Sequence, residues 1–428
     1  MALIVQKYGG SSLATPERIK EVGKGIIKTK KEGNSLVVVV SAMGDTTDNL
    51  ISLMEKVNPD PPKRELDLLL STGEMVSAAL LAAALEAEGE KAVALTAYQG
   101  KIITDDFHTK ARIKKIRSEK ILEELNRGKI VVVAGFQGIT PEETITTLGR
   151  GGSDTTAVAL AAALKAQICE IYTDVEGVFT ADPRIVPEAK KLKKIVYDEM
   201  LELASLGAKV LHLRAVEVAK KFNVPLHIRS SFTENEGTII MSNIKNEREK
   251  EMREASGKIV EEPIEGFIVT GVVLDETEAK ITVRGVPDKP GVAGFIFGKL
   301  AEANINVDMI VQSSSPEGKN TISFTVEEKD LPQVRKVMEK VGSELRVDEI
   351  IYDPDMAKVS IVGAGMQSHP GVAARMFTCL GNAGINIDMI STSEIKISCV
   401  IRKKEGKKAV RLVHEAFELD KEIPEEAS

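Results

Sequence analysis

The sequence is poor in aromatic residues and cysteine. It has no tryptophan, and aromatic residues make up only 4% of its 428 residues. The cores must therefore be built from Ala, Val, Ile and Leu, which suits buried parallel strands and alanine-rich helices. The cysteines, Cys169, Cys379 and Cys399, are widely spaced and odd in number, so they predict neither a disulfide framework nor a metal site. We expect three buried thiols in a cytoplasmic protein.

Basic patches, long apolar runs and histidine clusters are also missing. The net charge is −7, which argues against a nucleic-acid partner. The longest apolar runs, 78–85 and 157–164, fall short of the roughly 20 residues of a membrane span, so we expect no membrane partner. The first residues enter a strand-like segment without the pattern of a signal peptide. The histidines are too dispersed for a metal site or a catalytic triad: His108, His212, His227, His369 and His414.

What the sequence does contain is a series of strands that end in glycine-rich or hydroxyl-rich turns. The first strand, 3–5, leads into Lys-Tyr-Gly-Gly-Ser-Ser at 7–12 and then into a helix. A lysine beside two glycines can place a cation next to backbone N–H groups, which is how proteins neutralise phosphoryl oxygens. The spacing is not that of a Walker motif. The β-branched strand 36–40 leads into a second such turn at 41–48.

Two further turns carry acidic residues. Ser-Thr-Gly-Glu at 71–74 precedes an apolar helix, 75–85, and predicts Glu74 in its first turn. There Glu74 either complements the helix dipole or holds a charged partner. At 147–156, three glycines surround Arg150, and Asp154 follows at the start of another alanine-rich helix. This turn is either a capped strand–helix connection or an anion site.

The next segments complete the N-terminal part. Strands are predicted at 92–95, 128–138, 168–172 and 224–229, and a helix at 205–212. The loop 173–184 is rich in Asp, Gly and Pro and contains two aromatic rings, so it is either a nucleotide-binding loop or an ordinary turn. A highly charged stretch, 243–254, indicates a linker.

The remainder contains an internal repeat. Residues 288–293 match 368–373, and 304–310 match 384–390, both with an offset of 80. Each copy is predicted as β-α-β-β-α, and the first gains a fourth strand at 347–352, the ferredoxin-like plan. The second copy ends without one. We predict that the strand 267–274 completes the second sheet, so that the two modules interlock.

The motifs at 7–12, 71–74, 147–154 and 173–184 together resemble those of aspartate kinases. The resemblance implies an amino-acid-kinase domain at 1–245, a linker at 246–264, and ACT modules at 265–353 and 354–428. The implied fold is an α/β three-layer αβα sandwich with a mostly parallel sheet, plus two ferredoxin-like βαββαβ ACT modules. Carbamate, acetylglutamate and uridylate kinases share the kinase fold, but their substrate motifs differ. A regulatory subunit with an inert kinase half is a further alternative.

The implied reaction is transfer of the ATP γ-phosphate to the β-carboxylate of L-aspartate, the first step towards lysine, threonine and methionine. The resemblance assigns the catalytic roles to Lys7 and Asp154. It assigns the substrate contacts to Thr47, Glu74, Arg150 and Ser153. It assigns the ATP contacts to Lys7, Tyr8, Gly9, Gly10, Ser41, Gly44, Thr173, Asp174, Phe179, Asp182, Arg184 and Lys209. Mg²⁺ would be held by ATP phosphates and water, so no protein ligand is assigned.

The paired modules imply feedback inhibition by lysine and/or threonine. The candidate effector residues are Asp288, Asp308, Gln312, Asn386 and Asp388, each of which is alternatively a strand-end turn residue. Because such modules pair their sheets side by side, the resemblance also implies at least a dimer. The sequence departs from the family at one position, Leu213, where proline usually precedes Arg214. We expect this change to loosen a turn near the nucleotide.

Overall fold

The computed structural model describes residues 2–208, 210–242, 268–314, 318–364, 366 and 371–421. The strands of the N-terminal part are β1 Leu3–Tyr8, β2 Ser35–Val40, β3 Ala92–Leu95, β4 Ile102–Thr104, β5 Ile113–Ile116, β6 Ile130–Ala134, β7 Gln137–Ile139, β8 Ile145–Thr147, β9 Ile168–Thr173, β10 Lys194–Val196, β11 Leu226–Ser230 and β12 Thr238–Met241. Its helices are α1 Pro16–Lys31, α2 Thr46–Val57, α3 Lys63–Ala87, α4 Glu119–Asn126, α5 Gly152–Leu164, α6 Tyr197–Ser205 and α7 Leu213–Phe222.

Eight of these strands form one sheet, in the order β10-β12-β11-β9-β1-β2-β6-β3. Every pair in it is parallel except β11 with β12. Strand β2 is buried on both faces: Val37 and Val39 join the core under α5 and α7, whereas Val38 and Val40 join the core under α1 and α3. The predicted three-layer sandwich is therefore confirmed. A smaller sheet, β5-β4-β7-β8, flanks it.

Helix α3 is longer than the sequence analysis predicted. It runs through the Ser-Thr-Gly-Glu turn, so Glu74 lies in mid-helix rather than in a first turn, and the helix-dipole interpretation of Glu74 was wrong. The reason is packing at Gly73, where a Cβ would lie 2.8 Å from the Cβ of Ala42. Glycine, which disfavours helix interiors, is retained there because it lets α3 approach the turn after β2.

By length and composition, α3 is the one helix in the described part of the chain that could cross a membrane. Of its most apolar window, 44% is buried inside the fold. The helix packs against α1, α2 and strands of both sheets, as a core helix does.

Two other predicted elements differ. The helix predicted at 205–212 is not present in the described residues of that range, because α6 ends at Ser205 and Gly207 follows with φ +107°. A left-handed glycine just after a helix ends it. The predicted strand 128–138 is divided between the main sheet, as β6, and the flanking sheet, as β7.

The C-terminal part contains two four-stranded antiparallel sheets. Its strands are β13 Ile268–Asp275, β14 Glu278–Pro287, β15 Ile310–Ser314, β16 Lys319–Glu327, β17 Glu349–Asp353, β18 Met356–Ala364, β19 Met389–Thr392 and β20 Lys396–Arg402. Its helices are α8 Val292–Glu302, α9 Leu331–Leu345, α10 Val372–Asn382 and α11 Gly406–Ala416. The first module has the order β15-β16-β14-β17, and the second has β13-β18-β20-β19. Strand β13, which precedes the first module in the chain, thus pairs with β18 of the second.

The second module is joined to the N-terminal part. The backbone N–H of Val272 on β13 donates to the carbonyl oxygen of Thr180 at 2.7 Å. The Thr180 hydroxyl also contacts Nε2 of His414, on α11, at 2.9 Å. Lys396 on β20 pairs with Glu202 on α6 at 2.9 Å. The loop after β9 is therefore held by the second module.

Lysine–acid pairs connect the two modules in both directions. Lys358 on β18, with a side chain only 3% exposed, pairs with Glu278 on β14 at 2.6 Å and also contacts Asp308. In the other direction, Lys280 on β14 pairs with Asp388 of the second module at 3.2 Å. Each module thus supplies a cation to an acid of the other.

Candidate active site

The candidate site lies at the carboxyl ends of neighbouring parallel strands. Lys7 is near the end of β1, Ser41 follows β2, Gly135 follows β6, and Thr173 ends β9. These four strands are adjacent in the sheet. In open α/β sheets, ligands bind in the crevice outside the carboxyl ends of the strands. The topology therefore gathers three of the turns that the sequence analysis selected at one edge.

Lys7 and Asp154 form an ion pair at this edge. The Nζ of Lys7 lies 2.6 Å from Oδ1 of Asp154, with side chains 11% and 14% exposed. Asp154 is in the first turn of α5. Lys7 also lies over the glycine turn, because its Nζ is 3.6 Å from the position that a Cβ on Gly9 would take. A shielded ammonium held by one carboxylate, next to a helix N-terminus, suits anionic ligands.

The turn that precedes α5 is fixed by Gly151. This residue has φ +70°, and a Cβ on it would lie 2.1 Å from the ring of His212. Only glycine allows this approach. Arg150, the preceding residue, is exposed. Ser153 is buried, and its Oγ lies 2.8 Å from the position of a Cβ on Gly135. The turn thus leaves Arg150 exposed, four residues before Asp154.

The unusual Leu213 is accommodated at the start of α7. His212 is the N-cap, and its ring accepts a hydrogen bond from the backbone N–H of Arg214 at 3.4 Å. Leu213 is therefore the first helical residue, whose N–H needs no intrahelical partner, and this is where proline is commonly tolerated. Either residue can begin this helix.

Glu74 brings a second carboxylate to the site. Its side chain is buried, and Oε1 accepts a hydrogen bond from the backbone N–H of Ala42 at 3.1 Å. Among the described residues, Oε2 has no hydrogen-bond partner. Burial raises the pKa of Glu74 to about 7, against the lowering effect of the Ala42 hydrogen bond. A buried carboxylate with an unpaired oxygen is suited to a cationic ligand group. Thr47, in the first turn of α2 and five residues after Ala42, is half-buried.

The glycine turns after β1 and β2 are tied together through their backbones. Ser41 N–H donates to the Tyr8 carbonyl at 3.1 Å, and Gly44 N–H donates to the Gly10 carbonyl at 3.0 Å. The Tyr8 ring is buried and stacks on the ring of Tyr172, with centroids 4.6 Å apart. The side chain of Tyr8 is therefore used for packing, and only its backbone remains for a nucleotide contact.

Several side chains of the predicted nucleotide loop bind one another. Asp182 and Arg184 form a two-pronged ion pair, with Nη2 to Oδ2 at 2.7 Å and Nε to Oδ1 at 3.0 Å. The Asp174 carboxylate accepts a hydrogen bond from the Thr173 hydroxyl at 3.0 Å. Phe179 is half-buried. Lys209 lies outside the described residues. The nucleotide contacts of this group remain predictions.

The candidate effector residues differ in their surroundings. Asp288 accepts a hydrogen bond from Asn320 at 3.0 Å. Asp308 and Asp388 are the acids of the intermodule ion pairs described above, so their carboxylates already have lysine partners. Gln312 and Asn386 are exposed. These assignments too remain predictions.

One buried acid beside the site, Asp67, is not among the residues predicted from the sequence. Asp67 is fully buried on α3 and binds the end of β8, three residues before Arg150. A signal for it existed, because Asp67 precedes Glu74 by seven residues. Two helical turns place both carboxylates on one face of the helix.

Comparison with known proteins is consistent with this geometry. Residues 2–230 match the model of the amino acid kinase family, and residues 281–341 and 359–417 match that of the ACT domain. The chain is 51% identical to an aspartokinase of Pseudomonas aeruginosa over 420 residues, 98% of each chain. It is 50% identical to an aspartokinase of Mycolicibacterium smegmatis over 422 residues, 98% of this chain and 97% of the relative.

Among solved structures, E. coli aspartokinase III in complex with aspartate and ADP matches with a TM-score of 0.77 at 23% identity. The match covers 97% of this chain and 99% of the E. coli chain, and it supports the fold. The resemblance inferred from the four sequence motifs is confirmed by the domain matches and the relatives. The chain belongs to the aspartokinase family, ATP-dependent kinases in which an amino acid kinase domain is combined with ACT domains.

Proposed function

We propose that this chain transfers the γ-phosphoryl group of ATP to the β-carboxylate of L-aspartate, giving 4-phospho-L-aspartate and ADP in the cytoplasm. The observation that carries the proposal is a set of charges of both signs: the shielded Lys7–Asp154 ion pair, the exposed cation Arg150 on the turn before α5, and the buried acid Glu74 beside the turn after β2. A zwitterionic amino acid requires both signs of charge. The product would enter the synthesis of lysine, threonine and methionine.

The reaction needs positioning and charge neutralisation more than covalent help. An oxygen of the β-carboxylate forms a bond to the γ-phosphorus, the bond from phosphorus to the ADP oxygen breaks, and its electron pair stays on ADP. The nucleophile is already ionised at pH 7, so no general base is required. Lys7 would neutralise charge on the transferring oxygens. Asp154, 2.6 Å away, would orient the Lys7 ammonium and the substrate amine.

The residues present suit a triphosphate. The turns around Gly9, Gly10, Ser41 and Gly44 lie at the carboxyl ends of β1 and β2, beside Lys7. Mg²⁺ commonly binds to nucleotide phosphates and keeps several waters, so we assign it no protein ligand here. Held by the ATP oxygens, it would supply further charge neutralisation.

The amino-acid side would be held by opposite charges. Arg150 offers a two-pronged guanidinium to the α-carboxylate. The free oxygen of Glu74 would accept a hydrogen bond from the α-ammonium, and the hydroxyls of Thr47 and Ser153 would add further bonds. This set differs from what a uridylate or acetylated substrate needs, because neither of those carries a free ammonium group.

A coupled assay of ADP release tests the substrate. Aspartate, glutamate, acetylglutamate and UMP are supplied in turn with MgATP, and turnover is expected with aspartate alone. Turnover that does not depend on aspartate would refute the proposal. UMP-dependent turnover would favour the second candidate, another kinase of the same fold. Repeating the assay with lysine and threonine, alone and together, tests the proposed feedback inhibition through the ACT domains.

We further propose that the enzyme is at least a dimer through its ACT sheets. Strands β15 and β19 lie at open sheet edges. They carry the exposed residues Ile310 and Ile390, 52% and 43% exposed, at equivalent positions of the repeat. An open edge with an exposed apolar side chain favours pairing with another chain. Light scattering at micromolar concentration is expected to give a dimeric or larger mass, and a monomeric mass would contradict this proposal.

A further inference from the structure

A buried carboxylate outside the proposed substrate contacts binds the turn that carries Arg150. Asp67 is 0% exposed. One of its oxygens accepts a hydrogen bond from the Thr147 hydroxyl at 2.5 Å, and the other contacts Nδ1 of His108 at 2.7 Å. The backbone N–H of Thr109 lies 3.1 Å from both oxygens. In the described part of the chain, His108 is its one ion-pair partner.

These contacts join three segments. Asp67 belongs to α3, His108 and Thr109 belong to the connection between β4 and β5, and Thr147 ends β8. The connection also meets β8 through its backbone, because Ala111 N–H donates to the Thr147 carbonyl at 2.9 Å. The Asp67 carboxylate thus fixes both the side chain of Thr147 and the segment that lies against it.

Arg214 clamps the same two segments from the other side. Its Nη1 donates to the Leu148 carbonyl at 2.6 Å, and its Nη2 donates to the Ala111 carbonyl at 3.0 Å. Between Leu148 and α5, the chain contains only Gly149, Arg150 and Gly151. Two of these are glycines with positive φ. The course of the turn therefore depends on how firmly Thr147 and Leu148 are held.

Desolvating a carboxylate is costly, and an apolar side chain of similar size would usually give a more stable fold. Such a cost is understandable where the carboxylate fixes a geometry that packing alone leaves loose. Asp67 and Glu74 lie on one face of α3, so a single rigid helix sets both ends of the amino-acid site.

We propose that Asp67, together with His108, is a positioning residue that fixes the direction of Arg150 towards the substrate α-carboxylate. The proposal rests on the function proposed above, in which Arg150 binds aspartate. Asp67 does not touch substrate in this proposal. It acts through Thr147 and the turn 148–151.

The test is a separation of kinetic constants. Asp67→Asn keeps the shape but loses the charge that holds His108, and it is expected to raise KM for aspartate about tenfold. The KM for ATP and kcat are expected to change less than about twofold, since a binding group that acts equally in ground and transition states affects KM alone. His108→Asn, at a side chain 20% exposed, should act in the same direction without endangering the core. Glu65→Gln, on the exposed surface of α3, is the matched control.

A double-mutant cycle separates positioning from general damage. If Asp67 acts through Arg150, Asp67→Asn should add nothing to KM for aspartate when Arg150→Ala is already present. Additive effects, equal losses with both substrates, or unchanged KM in both the Asp67 and His108 variants would overturn the inference. Wild-type enzyme without aspartate-dependent turnover would instead refute the proposed function. If Asp67→Asn fails to fold, His108→Asn with Arg150→Ala gives the same cycle.

Discussion

Lys7→Met is expected to lower kcat about a thousandfold, which is the order of magnitude lost when one preorganised charge-stabilising group is removed from a transferring phosphoryl group. Lys7 is the cation that lies over the first glycine turn, and Asp154 holds it at 2.6 Å. Methionine keeps the length and the apolar part of the side chain but has no charge. The effect should fall on kcat, measured by coupled ADP release at saturating ATP and aspartate.

Loss of one partner of a shielded ion pair can also destabilise the fold, because the other charge is left without compensation. The double variant Lys7→Met with Asp154→Asn removes both charges and should restore the unfolding temperature without restoring turnover. Lys28→Met, at an exposed ion pair on α1, is the matched control and should behave as wild type. Calorimetric binding of lysine or threonine to Lys7→Met should persist. Turnover close to wild type in Lys7→Met would remove Lys7 from its proposed role.

Glu74→Gln is expected to weaken the binding of aspartate and to stabilise the free enzyme against unfolding. The pKa of Glu74 is raised to about 7 by burial, so its ionised form is disfavoured in the fold without a cation beside it. If Glu74 binds the substrate ammonium, glutamine should reduce kcat/KM for aspartate about a hundredfold, because a buried charge-assisted hydrogen bond is lost. The KM for ATP should change little.

The same pKa predicts a pH dependence. Below about pH 7 the free enzyme carries a protonated Glu74, so kcat/KM for aspartate should fall about tenfold per pH unit. Glu74→Gln should lack this acidic limb. A limb that remains unchanged in the variant would assign the titration to another group.

The stability of the fold should change with pH in the opposite direction to kcat/KM. A carboxyl group with a raised pKa in the fold binds its proton more tightly when folded, so stability falls as the pH rises from about 4.5 to about 7. Above that range the full cost, roughly 3 kcal/mol, is present. Glu74→Gln should therefore unfold at a higher temperature than wild type at pH 8, and the difference should shrink towards pH 5. Glu86→Gln, also on α3 but exposed, is the control and should show neither effect.

The fold was largely predictable because the signals were periodic or repeated. The β-branched run at 36–40 indicated a strand buried on both faces, and β2 is one. The offset of 80 between the two copies indicated two modules of one plan. The missing fourth strand of the second copy left 267–274 as the remaining candidate, and Ile268–Asp275 pairs with Met356–Ala364. Counting strands against a known plan gave this result without any contact information.

Parts of the site were less predictable because they depend on tertiary packing. Gly73 favours a helix start in isolation, yet it lies within α3 because only glycine fits against Ala42. Asp67 was overlooked because its partners, His108 and Thr147, are distant in the sequence. The pairing of Asp308 with Lys358 could not be predicted without knowing how the two modules face each other. The local sequence pattern alone did not place Lys7 and Asp154 in one site. The family resemblance did.

The interlocked modules have a consequence for any fragment of the chain. A fragment that begins at residue 354, where the second repeat starts, would lack the edge strand β13 and all three acids that pair with Lys358. A fragment that contains the first repeat alone would leave Lys280 without Asp388. The unit that repeats in the sequence is thus smaller than the unit that completes its sheet and its buried ion pairs. Deleting or transplanting either copy alone would therefore leave at least one lysine without its acid.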